Sequence, residues 1–279
     1  MHKFLNKILP KLYGFYFNVL ALFSKKKAAE KTFEVFSTIR RGKVLPKQQA
    51  YLEVAKHEVL ETCGHQLQIY RWTGNKDRVL LVHGWESNSF RWRNLIATLR
   101  ANDYDIVAFD APGHGNSSGK HLHLPLYSDC IHEIIKTYSP KHLIGHSFGG
   151  MAILFDEFKR SKSDTKKIVT IGSPSEFKEL LAHYQNLVGF NNQVLKAFKA
   201  LVVERFGHEV QDFSSSRFVK NNTKKGLLIH DELDKLAPFH ASEQVHADWQ
   251  DSTFIRTKGL GHSLHQQHIN ERIVGFLNL

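Results

Sequence analysis

The sequence predicts an α/β fold, a mostly parallel, doubly wound sheet of about eight strands with helices on both faces. Three observations carry this reading. From Arg78 onward, short apolar runs alternate with stretches of helical period, the pattern of parallel strands covered on both sides. Upstream, residues 57–62 and 66–72 alternate polar and apolar side chains around Gly64, which marks an antiparallel hairpin at the sheet edge. Finally, Gly145-His146-Ser147-Phe148-Gly149 follows one apolar run and opens a helix-forming segment, placing a serine between glycines at a strand-to-helix turn. With 279 residues, 42% hydrophobic and 23% charged, the chain can bury one large core and has the make-up of an ordinary globular protein.

In chain order, residues 3–23 and 26–40 read as helices, and Gly42 and Pro46 mark an irregular connection after them. The hairpin follows. Strand runs then fall at 78–82, 105–109, 141–145, 167–172, 225–230 and 252–257, with helices near 91–101, 126–138, 148–160, 239–249 and 265–277. Between Gly172 and Gly226 lie roughly fifty residues, far more than a simple crossover needs. That segment has helical period and large apolar groups, among them Phe177, Leu181, Tyr184 and Phe198. The expected organisation is a basic helical extension (1–56), a first core part (57–172), a helical insertion (173–224) and a second core part (225–279).

Charge is concentrated at the N-terminus. Of the net +11, residues 1–48 carry +9, and the nearly neutral remainder argues against a nucleic-acid channel. The apolar run 12–23 is shorter than the about 20 residues of a membrane-spanning helix. Phe23-Ser24-Lys25-Lys26-Lys27 offers no small-residue cleavage site for a signal peptide. Two readings of residues 1–24 remain. In the first, which we favour, the helix docks on the body of the protein or on a second subunit, because uncovered apolar helices generally pack on protein. In the second, a basic amphipathic segment rests on an anionic membrane surface. Cys63 and Cys130 are too few for a disulfide framework and read as reduced thiols of a cytoplasmic protein. The eighteen histidines are scattered without metal-ligand spacing, so neither a metal nor another cofactor is expected.

Further motifs stand at the ends of the predicted strands. The run 79–82 ends in His83-Gly84-Trp85, and 105–109 ends in Asp110-Ala111-Pro112-Gly113-His114-Gly115. The run 226–229 leads into His230-Asp231-Glu232-Leu233-Asp234-Lys235-Leu236-Ala237-Pro238, and 253–256 precedes Gly259-Leu260-Gly261-His262. In this order, and with the serine elbow, they resemble the α/β-hydrolase superfamily in its serine-esterase-like branch, from about Glu58 to the C-terminus. The resemblance implies Ser147 as nucleophile, His262 as its base and Asp234, in an Asp-x-x-small-Pro pattern, as the carboxylate behind the base. Asp231 competes for the last role but stands where the family usually has glycine, and reads as a turn or surface residue. The amides of Trp85 and Phe148 would form the oxyanion hole. Trp85, His146, Phe177, Leu181 and Tyr184 are expected to contact substrate, His114 to be scaffold, and 173–224 to form a helical cap over the nucleophile. The alternative for that insertion is a helix pair beside the sheet with no substrate role.

Ser147 excludes the reactions that relatives with an aspartate at the elbow perform, the haloalkane dehalogenases and epoxide hydrolases. The expected activity is hydrolysis of small carboxylic esters with apolar acyl groups through an acyl-enzyme, without nucleic acid as partner. Two alternatives stay open. One is an acyltransferase or thioesterase acting on lipid-like substrates at a membrane. The other is a non-catalytic binding protein on the same scaffold, which the intact set of Ser147, Asp234 and His262 disfavours. The oligomeric state is not readable.

Overall fold

The computed structural model describes residues 2–160 and 164–279. Strands β1 (Lys56–Thr62) and β2 (His65–Trp72) form the hairpin. With β3 (Lys76–Val82), β4 (Tyr104–Phe109), β5 (His142–His146), β6 (Lys167–Ile171), β7 (Lys225–Asp231) and β8 (Ser252–Thr257) they make, among the described residues, an eight-stranded sheet in the order β1-β2-β4-β3-β5-β6-β7-β8. β2 joins β4 antiparallel, and β3 to β8 are mutually parallel. The helices are α1 (His2–Phe23), α2 (Lys25–Ser37), α3 (Pro46–Leu52), α4 (Arg93–Ala101), α5 (Leu124–Tyr138), α6 (Phe148–Lys159), α7 (Phe177–Val188), α8 (Asn192–Phe206), α9 (Ser215–Val219), α10 (Phe239–Asp248) and α11 (Gln267–Asn278).

The chain divides into two compact units. One comprises Ile39–Ser175 with Ser215–Leu279, and the other Met1–Thr38 with Glu176–Ser214. In the sheet unit, alternate residues of the central strands (Leu81, Ile106, Ile144, Val169) share a core with Ile96 and Leu99 of α4 and Ile273 of α11. Leu80, Val107 and Leu143, on the other parity, are buried as well, and α6 lies against β3, β5 and β6. Burial on both faces is why these strands read as continuous apolar runs. β1, at the edge, instead alternates between exposed and half-buried positions. Residues 39–55, including the α3 residue Leu52 in the core, fold with this unit, as does α9.

In the helical unit α1 and α2 pack with α7 and α8. Ser24 caps α2 by accepting the Lys27 amide at 3.3 Å, which lets the chain reverse directly out of α1. Phe36 of α2 meets the ring of Phe177 at 5.8 Å, Tyr184 at 4.9 Å and Phe198 at 5.9 Å. α1 approaches α7 backbone to backbone, since a Cβ on Gly14 would lie 2.2 Å from the Val188 carbonyl oxygen. Lys11 donates to the Asn186 carbonyl at 2.8 Å, and Asn18 accepts from the Asn191 amide at 2.7 Å. The docking reading of the N-terminal helix had its apolar residues buried. Among the side chains of α1 that are described, the Gly14, Phe17 and Ala21 stripe is buried and the opposite row is exposed, because apolar residues surround this helix while its partners meet one side. Among the described residues, no helix is long and apolar enough to cross a membrane.

Candidate active site

β3 pairs with β4 on one side and β5 on the other, so the winding of the sheet reverses there. At such a switch point the loops leaving adjacent strands diverge and open a crevice at their C-terminal ends. Ser147 stands at this place, between β5 and α6, with φ 52° and ψ −126°, a conformation that residues with side chains rarely adopt. Its surroundings hold it there. The Ser147 amide donates to the Ile171 carbonyl at 2.8 Å, and its carbonyl accepts from Ser173 Oγ at 3.0 Å and the Gly150 amide at 2.9 Å. The approach of α6 to β3 requires glycine, since a Cβ on Gly149 would sit 2.4 Å from the carbonyl oxygens of both Val82 and His83.

Beyond β7, Asp234 closes a turn. Its Oδ1 accepts the amides of Leu236 at 2.8 Å and Ala237 at 3.1 Å, an arrangement typical of a capping aspartate. Its Oδ2 lies 2.7 Å from His262 Nδ1 and 3.2 Å from His230 Nε2, with the carboxylate fully buried. Burial alone would raise its pKa. The bonds from His230, His262 and the two amides outweigh that and hold the carboxyl well below the usual range, so it is ionised. His230 Nε2 faces two acceptors, Asp234 and the Ala237 carbonyl at 3.1 Å, and therefore carries the proton, while its Nδ1 lies 2.7 Å from Ser242 Oγ. By the same logic His262 donates from Nδ1 to Asp234, the tautomer whose neutral ring keeps Nε2 as its acceptor.

The loop bearing His262 is tied from three sides. Asp231, the last residue of β7, accepts the Leu260 amide at 2.8 Å and Thr257 Oγ1 at 2.9 Å through Oδ2, and the Gly259 amide at 3.2 Å and Leu233 amide at 3.0 Å through Oδ1. Asp231 does stand at a turn, its carbonyl accepting the Asp234 amide at 3.1 Å, but the surface alternative is corrected: it is fully buried, because β8 brings Thr257 and the following amides onto its carboxylate. Burial pushes its pKa up, but these four donors prevail and lower it. His146 Nε2 donates to the His262 carbonyl at 3.0 Å, and the two rings lie 4.7 Å apart. Buried beneath the elbow, His146 is held neutral, its pKa pushed well below the ordinary histidine value. Arg91 Nη2 donates to the Ser263 carbonyl at 3.0 Å.

At the end of β3, His83 fastens the neighbouring loop. Its Nε2 accepts the Ala111 amide at 3.0 Å, so Nδ1 donates to the Gly84 carbonyl at 2.7 Å, and burial lowers its pKa to about 4. His114 is also buried and accepts the Glu86 amide at 3.0 Å, a scaffold position. Trp85 and Phe148 come together edge to face with ring centres 5.6 Å apart. Among the described residues neither of their amides has a hydrogen-bond acceptor, and that of Phe148 opens α6, where the helix dipole favours negative charge.

Ser147, His262, Asp234, Trp85, Phe148 and His146 thus all belong to the sheet unit, His146 as the last residue of β5 and the others on the segments that follow β3, β5, β7 and β8. Phe177, Leu181 and Tyr184 belong to the helical unit, where Leu181 is buried and both aromatic rings pack on Phe36. The supporting roles of His230 and Asp231 escaped sequence reasoning. The available signal was two polar residues ending an apolar strand run, where side chains are buried. Among the described residues, no three His, Cys, Asp or Glu side chains group closely enough to hold a metal ion.

Such an arrangement offers a hydroxyl on a strained turn, an imidazole oriented by a buried carboxylate, and two unpaired amides. The pattern of the Alpha/beta hydrolase family matches residues 79–274. The chain is 23% identical over 247 residues to the uncharacterized hydrolase YugF of Bacillus subtilis, covering 72% of this chain and 90% of that one. It is 33% identical over 110 residues to a probable serine hydrolase of Drosophila melanogaster, 36% of this chain and 33% of that protein. An esterase structure from Exiguobacterium antarcticum superposes with a TM-score of 0.64 at 16% identity, over 80% of this chain and all of that one, a likeness of fold.

Proposed function

The chain belongs to the alpha/beta hydrolase family, and from that membership we propose that it is a serine hydrolase cleaving carboxylic esters with apolar acyl groups. One observation carries the reading: the 2.7 Å bond from His262 to buried Asp234, in the same unit as a serine at φ 52°. A serine hydroxyl is a weak nucleophile until a base removes its proton. In the proposed reaction Ser147 Oγ attacks the ester carbonyl while His262 Nε2 takes the proton, and Asp234 stabilises the imidazolium without itself becoming protonated. Negative charge on the former carbonyl oxygen is received by the amides of Trp85 and Phe148. His262 then gives its proton to the leaving alkoxide, the C–O bond breaks, and the acyl group remains on Ser147. Water, deprotonated by the same histidine, attacks the acyl-enzyme and releases the carboxylic acid. The Trp85 and Phe148 rings provide apolar surface for the acyl chain.

A series of p-nitrophenyl esters of rising chain length, run beside acyl-CoA thioesters, tests the substrate class. Ester turnover exceeding thioester turnover is expected, and the reverse order would move the assignment to a thioesterase. A fluorophosphonate probe should label the wild-type chain and not Ser147→Ala. A protein that neither reacts with the probe nor turns over any ester would leave a binding role on a hydrolase scaffold.

A further inference from the structure

We propose that the outward face of α1 is a docking surface for anionic lipid bilayers, on which the helix lies in the plane of the membrane. α1 meets the rest of its unit through Gly14, Phe17 and Ala21. On the opposite side stand Ile8, Leu12, Phe15, Val19, Leu22 and Phe23, spaced by three and four residues and so forming one stripe at helical period. All six are exposed, Phe15 to 68%, Leu22 to 75% and Phe23 to 83%. At 1.5 Å per residue the row is roughly 24 Å long. Single apolar residues on a surface are ordinary, whereas a contiguous row marks an interaction site.

Charge selects the occupant. Residues 1–38 carry seven Lys against two Glu, and Lys25, Lys26 and Lys27 follow Phe23 after a single serine, at the end of the apolar row. Lys25, Lys26 and Lys196 also line a groove of about 380 Å³ formed by α2 and α8, in which Glu204 is paired with Lys26 at 3.0 Å. A second copy of this chain would bring like charge onto like, while acidic headgroups complement it. Among the described residues no helix is long and apolar enough to cross the bilayer, so the stripe is suited to the boundary between headgroups and acyl chains.

The test is co-sedimentation of the full chain with vesicles of phosphatidylcholine alone or with one third phosphatidylserine. Binding is expected on the anionic vesicles at low salt, at least tenfold weaker on the neutral ones, and weakened at high salt as charges are screened. Phe15→Ser/Leu22→Ser/Phe23→Ser should lower the partition coefficient at least tenfold with an unchanged melting temperature, since the altered residues are exposed. Lys25→Ala or Lys27→Ala should lower it about fivefold each, the equivalent of ~1 kcal/mol per cation at the surface. Ser147→Ala should bind as the wild type does, and the triple variant should hydrolyse a short soluble ester normally, which separates this proposal from the catalytic one. Wild-type protein that stays in the supernatant with anionic vesicles would overturn the proposal. So would a triple variant that sediments like wild type, or one that abolishes a concentration-dependent dimer while vesicle binding is absent throughout.

Discussion

Replacing Asp234 by asparagine removes a charge and turns one acceptor into a donor at a point where several donors converge. The Leu236 and Ala237 amides, at 2.8 and 3.1 Å from Oδ1, are fixed by the turn and keep the asparagine oxygen on their side. The new NH₂ then takes the place of Oδ2, 2.7 Å from His262 Nδ1 and 3.2 Å from His230 Nε2. Donor would face donor at both. His262 can relieve the conflict by moving its proton from Nδ1 to Nε2, which makes Nδ1 an acceptor for the amide. That proton now occupies the nitrogen proposed to receive one from Ser147. The expected loss in kcat is about ten-thousandfold, the scale for a wrong tautomer behind a nucleophilic serine, or ~5 kcal/mol of barrier. KM should change little, because Asp234 is buried and does not reach substrate. Steady-state hydrolysis of a p-nitrophenyl ester measures both constants, with circular dichroism as the control for folding. A folded Asp234→Asn protein within tenfold of wild-type kcat would refute the tautomer argument and the role of Asp234 with it.

Asp231→Asn should chiefly cost stability. One of its two oxygen positions would become a donor facing buried donors, a penalty of ~1–3 kcal/mol readable by urea denaturation, with a smaller loss of turnover than at Asp234. Ser147→Ala and His262→Ala should each abolish ester turnover, and the double variant should be no worse than either, as expected of residues acting as one unit in kinetic assays. Ser147→Gly should be equally inactive yet more stable than Ser147→Ala by about 1 kcal/mol in a thermal melt, because glycine adopts φ 52° without strain. Stability should fall on acidification in two stages. Burial depresses the pKa of His83, His114 and His146 in the folded state, so their contribution is complete above the ordinary histidine value of about 6.5 and is lost as pH falls below it. The depressed carboxyls of Asp231 and Asp234 add a further loss below about pH 4. Urea midpoints between pH 7 and 3 would show both limbs, and a flat profile would contradict the buried, neutral assignment of these histidines.

Local pattern was enough for the parts of this protein whose physics is local. β3 to β7 are largely buried from both faces and so appear as apolar runs, and the glycines of the elbow record contacts too close for a Cβ. Read through the family resemblance, the strand ends also singled out Ser147, Asp234 and His262 as candidates, since each follows a strand directly or within a short loop. What escaped were contacts with distant partners that no local motif marks. Asp231 is a local turn residue until Leu260, 29 positions on, brings it an amide. His146 carries no mark in its neighbours that its Nε2 meets the carbonyl of His262, 116 positions away. In α1, apolar residues lie all around the helix, so no periodicity tells which stripe is covered. That choice was made by the packing of Gly14 against Val188, which leaves Phe15, Leu22 and Phe23 facing out. Burial of a side chain depends on what the rest of the chain brings to it, and for these residues that lies many positions away.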